Sequence, residues 1–175
     1  MLDEHDRACA LAHGDLEPDA APRTLAVVFA SPVARYLLHF GRDLGYRTVL
    51  VEPDVNRLTG PDRQHADAVE GSTRGAGIDD TADVVITDHD RAELGQMLHD
   101  VLALPARWVG VMGSPRHTAP HIAALRDLGT PQSAIARVHR PIGLNIGSKS
   151  PAEIAVATLA GLLADRNGRP GGFQF

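Results

Sequence analysis

Four short runs, Thr24 to Ala30 (TLAVVFA), Arg47 to Glu52 (RTVLVE), Asp83 to Thr87 (DVVIT) and Arg107 to Met112 (RWVGVM), are apolar through their middles. They lack the alternation of a half-exposed strand. Strands of that kind are buried on both faces, and the arrangement that buries them is a parallel sheet covered by helices. The segments between them supply the helices. Val33, Leu37, Phe40 and Leu44 recur at helical spacing, and Gly45 follows where a helix end takes positive φ. Asp90 with Glu93 reads as a capping box opening a helix to about Leu104, where Pro105 ends it. Ile122 to Leu128 is a helix closed by Gly129, and Ser150 to Glu153 is a second capping box with Pro151 at the first helical position. The helix it opens runs to about Ala164. Asn56 to Thr81, rich in Gly, Asp and Thr, reads as long loops around one short edge strand at Ala66 to Val69. This alternation predicts an α/β fold, a Rossmann-like three-layer α/β/α domain with a mainly parallel sheet, over residues 23–166. Residues 1–22 form an N-terminal extension, and the Gly- and Pro-rich residues 167–175 a flexible tail.

Composition narrows the function classes. With 43% hydrophobic and 22% charged residues, the chain of 175 residues suits one ordinary globular domain and excludes disorder. The single cysteine, Cys9, excludes a disulfide scaffold and a Cys-rich metal site. The longest uncharged stretches, Thr24 to Ala34 and Ile154 to Ala164, fall below the ~18 residues of a membrane span. The start MLDEHDRACALAHGD lacks a basic region followed by an apolar one, so a cytoplasmic protein is expected. A net charge of −5 with scattered arginines offers no basic stripe for nucleic acid.

In such sheets ligands gather beyond the carboxyl ends of the strands, so the turn after each strand is a candidate site. The first, Phe29 to Ala34, has no glycine to let a pyrophosphate approach, and Pro32 removes an amide donor at the helix start. Ser31 as N-cap with Pro32 behind it explains this turn; Glu52, at the end of the second strand, stands where a ribose-binding acid would sit. The second turn carries Asp88, His89 and Asp90, suited to acid/base work or to holding a cation, or else to Asp90 as a cap with its neighbours facing water. In the third, Gly113 permits close approach, Ser114 to His117 form an exposed loop, and Arg116 offers a fork of donors for phosphate. His117 and His121 are four apart, but Pro120 lies between them and no base accompanies them, so no metal site is expected. The fourth, His139 to Ser150, combines Gly143, Gly147, Lys149 and a capped helix start. It reads as an anion site or as a glycine-rich crossing that lets the last helix pack closely. No Ser/His/Asp arrangement is assignable, and catalytic residues stay unknown.

The order of three segments is more specific than any of these turns alone. WVGVMGSPRH (108–117), ALRDLG (124–129) and RVHRPIGLNIGSKSPAEIA (137–155) resemble the Rossmann domain of the XdhC/CoxI family, as does VVITDHD (84–90). The similarity runs over roughly residues 24–165. It implies an accessory protein for a molybdenum hydroxylase such as xanthine dehydrogenase or carbon monoxide dehydrogenase. Such a protein would bind molybdenum cofactor (molybdopterin), assist its sulfuration and hand it to the apoenzyme. Gly113, Ser114, Arg116, Gly143 and Gly147 fall on the family's recurring positions. The first turn departs from the family's Gly-x-Gly-x-Val-Ala, and Cys9 in RACAL does not match its N-terminal Gly-Gly-Cys motif. The expected partner is the apoenzyme or a separate maturation protein, with homo-oligomerisation left open. The competing expectation is an NAD(P)-dependent oxidoreductase using Glu52 on the ribose and Asp88 or His89 as acid/base.

Overall fold

The computed structural model describes residues 4–16, 23–114 and 119–172. Its strands are β1 (Thr24–Val28), β2 (Arg47–Val51), β3 (Ala68–Glu70), β4 (Asp83–Ile86), β5 (Trp108–Val111) and β6 (Val138–His139). They form one sheet in the order β3-β2-β1-β4-β5-β6, and every pairing is parallel. Helices α1 (Glu4–His13), α2 (Pro32–Asp43), α3 (Gly60–Gln64), α4 (Leu94–Leu102), α5 (Pro120–Asp127), α6 (Gln132–Ile135) and α7 (Pro151–Arg166) complete the chain. No described helix is long and apolar enough to cross a membrane.

The alternation of side chains along each strand explains the three layers. Ala26, Val28, Val49, Val51, Val84 and Ile86 point to one face and pack with Leu94, Leu98 and Val101 of α4 and Leu125 of α5. Leu25, Val27, Leu50 and Val85 point to the other and meet Leu37 and Leu38 of α2 and Leu159 and Leu162 of α7. Each of the fully buried leucines contributes about 1.5–3 kcal/mol relative to an exposed one. The fold class and the positions of β1, β2, β4 and β5 agree with expectation.

Boundaries differ in several places: the stretch read as loops holds α3, the edge strand lies at Ala68–Glu70 rather than 66–69, and α5 starts at Pro120 rather than Ile122. Helix α4 begins at Leu94 rather than Asp90, because Arg91 and Glu93 are engaged elsewhere; the Asp90 amide donates to Asp88 Oδ1 (2.9 Å) in a local turn. Helix α7 ends at Arg166, two residues beyond the expected Ala164, and the Arg169 amide bonds the Ala164 carbonyl at 2.8 Å. Strand β6 was not expected, being two residues long at the sheet edge. Gly143 fits the close-crossing reading. Its φ is +85°, and a Cβ there would lie 3.0 Å from the Thr158 amide nitrogen of α7.

Helix directions fix the geometry of the site. Helix α2 leaves the carboxyl end of β1. Arg166, at the far end of α7, bonds Asp83 Oδ2 at 2.9 Å at the amino end of β4. Both helices therefore start at the carboxyl edge of the sheet.

Candidate functional site

The strand order reverses between β1 and β4, where an open α/β sheet has its ligand crevice. Here side chains of the adjoining turns bond one another. Ser31 caps α2 by accepting from the Ala34 amide (3.0 Å) and donates to Thr87 Oγ1 (3.1 Å), joining the two turns. Glu52, with no exposed side-chain surface, accepts from the Ala30 amide (2.8 Å), the Asp54 amide (3.0 Å) and both terminal nitrogens of Arg91 (3.2 and 2.9 Å). Four hydrogen bonds offset the desolvation of this carboxylate. Arg91 is 4% exposed, also bonds Glu93, and lies 4.4 Å above the ring of Phe29. Hydrogen bonds from Glu52 and then Glu93 push the Arg91 pKa further up, so the guanidinium stays charged. Its own hydrogen bond holds the Glu93 carboxyl below the usual range.

Phe29 occupies the position at which a dinucleotide-binding turn would place glycine. Its φ is +74°, and it is the one non-glycine residue with positive φ among the described residues. A buried aromatic ring holds that strained backbone in place, at a cost on the order of 1–3 kcal/mol. The sequence offered Glu52 as a ribose acid or as a solvated strand end. The structure buries it, and its oxygens already accept from two amides and one arginine.

The other expected residues separate into distinct places. Asp88 and His89 lie half-buried after β4, with His89 Nε2 3.7 Å from the exposed Asp90. Gly113 and Ser114 follow β5 beside Arg140, whose Nη2 donates to the Ser114 carbonyl (3.1 Å). A Cβ on Gly113 would lie 2.6 Å from Arg140 Nε, so this glycine admits the arginine. Arg116 and His117 lie outside the described residues. His121 is buried nearby, and its Nδ1 has no hydrogen-bond partner among the described residues; burial, then the charge of Arg140, pushes its pKa down. Gly147 is exposed with open space around it. The Lys149 amide donates to the carboxylate of Glu153, which closes the first turn of α7. Among the described residues no group of three or more His, Cys, Asp or Glu side chains is placed to hold a metal.

An open recess of about 500 Å³ lies instead beside α2, lined by Arg35, Tyr36, His39, His65 and the first turn of α7. Pro32, Arg35, Tyr36 and His39 share one helical face, opposite the buried Leu37 and Leu38 side. The apolar residues of α2 announce its buried side by their spacing, whereas this polar side carries no such signal. Arg35 Nε donates to Asp62 Oδ1 at 2.6 Å, and Asp62 Oδ2 accepts from the amide and hydroxyl of Thr59. Burial pushes the Asp62 pKa up, but the bonds from Thr59 and Arg35 outweigh it and hold the carboxyl below its usual range. The rings of His39 and His65 stand 4.9 Å apart.

Comparison with known proteins fits this architecture. Residues 25–162 match the family described as the XdhC Rossmann domain. The chain belongs to that family. The XdhC domain resembles a crystal structure described as a xanthine dehydrogenase from Bacillus halodurans, with a TM-score of 0.68 and 23% identity over 84% of this chain and 45% of that one. It is also 34% identical over 91 residues to the uncharacterized protein YqeB of Escherichia coli (strain K12), covering 52% of this chain and 16% of YqeB. The XdhC domain thus spans less than half the length of either relative.

Proposed function

We infer that this XdhC domain is an accessory module, without catalysis of its own, that assists molybdenum cofactor insertion or sulfuration in an enzyme of the xanthine dehydrogenase or carbon monoxide dehydrogenase type. The observation that carries this reading is the bonding between the turns at the crevice. A Rossmann sheet implies NAD(P), but the residues present do not fit a dinucleotide. The Ala30 amide is given to Glu52, Pro32 has no donor, and Arg91 occupies the carboxylate a ribose would need. Hydride chemistry with Asp88 or His89 as acid/base therefore lacks its binding half. Family membership and the likeness to a structure named as a xanthine dehydrogenase support a role beside such enzymes.

Molybdenum cofactor carries a fused heterocycle and a phosphate. The arginine, imidazoles and phenol around the α2 recess fit those groups: Arg35 would hold the phosphate, with His39 and Tyr36 beside the ring. When bound, the cofactor would supply the redox chemistry, and this chain would position it.

The test is to mix the purified chain with the apoenzyme of a molybdenum hydroxylase and with molybdenum cofactor. We expect a complex on gel filtration and a larger active fraction of enzyme than without the chain. Absence of a complex, with NAD(P)-dependent turnover by the chain alone, overturns the reading.

A further inference from the structure

We propose that the recess between α2, α3 and the start of α7 is a binding site for a phosphate monoester of a planar heterocycle, recognised by the Arg35 guanidinium. The site assignment stands on the recess; only the identity of its natural ligand rests on the maturation reading.

Three features converge. First, the recess of about 500 Å³ lies within the range of about 300–1,000 Å³ typical of small-ligand sites. Second, Arg35 is held ready. Asp62 is only 2% exposed and is fixed by both the amide and hydroxyl of Thr59, so its bond to Arg35 Nε sets the plane of the guanidinium. The two terminal nitrogens of Arg35 make no hydrogen bond among the described residues and remain available as a fork, the geometry that matches two phosphate oxygens. Because the carboxyl of Asp62 stays ionised, this arrangement persists at neutral pH. Third, the wall beside the fork is aromatic. Tyr36 is 40% exposed, and His39 and His65, tilted against each other, line the recess with it as an aromatic wall for a planar heterocycle.

The start of α7 adds a weaker contribution. Ser150, Pro151 and Ala152 line the same recess, and the Ala152 amide, in the first turn of a sixteen-residue helix, has no acceptor within that helix. Glu153, the nearest acid of that turn, is turned back onto the Lys149 amide. The phosphate alone would meet the fork and this amide; the heterocycle alone would meet only the rings. Full affinity therefore needs both parts of the ligand.

Guanosine 5′-monophosphate is the probe, with guanosine and inorganic phosphate as its two halves, added to the ¹⁵N-labelled full chain. The expected result is saturable shifts of the Arg35 to His39, His65 and Ala152 amides, with an affinity at least about tenfold above that for either half, as expected when each half supplies one or more strong contacts. Arg35→Lys keeps a cation for Asp62 but loses the fork, and its affinity is expected to fall about tenfold, the size of one charge-assisted hydrogen bond. His39→Ala, on the exposed face of α2, should weaken the monophosphate and leave inorganic phosphate unchanged. Equal binding by Arg35→Lys, shifts confined to other parts of the chain, or no shift at all overturns the assignment. Because no client enzyme takes part, this result stands whether or not the maturation reading fails.

Discussion

The crevice between β1 and β4 and the recess beside α2 both lie where a helix starts at the carboxyl edge of the sheet, yet they have opposite fates. In the crevice each polar group meets another from the same chain: Glu52 meets Arg91 and the Ala30 amide, and Ser31 meets Thr87. In the recess the anchoring carboxylate takes one nitrogen of Arg35 and leaves two with no hydrogen bond among the described residues. A buried ion pair closed on all sides is a structural element, whereas one held from behind and open in front is a recognition element. The same residue types thus serve opposite ends according to where their unsatisfied donors point.

The largest expected effect separates these two ion pairs by stability. Arg91→Met leaves the Glu52 carboxylate buried with only its amide donors, and should cost about 3–5 kcal/mol in urea unfolding. The double variant Glu52→Gln with Arg91→Met should recover much of that loss. A small effect of Arg91→Met would mean the crevice is not closed by this pair. Next, Asp62→Ala removes the support of Arg35 and the Thr59 cap together, and should cost about 1–2 kcal/mol. The folded Asp62 pKa lies below its unfolded value, so the stability it adds is present above the unfolded value of about 4 and is lost as pH falls further. The gap between wild type and Asp62→Asn should therefore hold steady from neutral pH downward and close in acid. Arg35→Lys, at a side chain 37% exposed, should change stability by less than about 1 kcal/mol while weakening the monophosphate.

The smallest effect lies outside both hollows. His121 has a folded pKa below its unfolded one, so the stability tied to its neutral form is present above about pH 6.5 and is lost as pH falls below it. His121→Phe should flatten the decline in melting temperature between neutral and mildly acidic pH. An unchanged profile would remove this histidine from the acid response.

The parts of the fold that rest on local pattern were legible in the sequence. The apolar middles of β1, β2, β4 and β5, the Ser31 and Ser150 caps, and the positive φ of Gly45 and Gly129 all follow from residue type. The closing of the crevice was half legible: the missing glycines and Pro32 showed what the first turn lacks, but nothing in the sequence announced that Arg91, beyond β4, would reach past the end of β1 onto Glu52. That pair joins residues 39 apart, and it also displaced the start of α4 from Asp90. The recess was illegible for a similar reason. Arg35, His39 and Tyr36 share a face that helical spacing does expose, yet His65 and Asp62 reach it only through the path of α3. Short β6 escaped because two residues carry no periodicity.

We propose that the Glu52–Arg91 pair closes the crevice at β1 and β4 to dinucleotides. Titration of the ¹⁵N-labelled chain with NAD and with NADP tests it most directly. The account predicts no saturable shift of the Ala30, Ser31, Val51 and Glu52 amides with either. Saturable shifts centred on those four amides would contradict it.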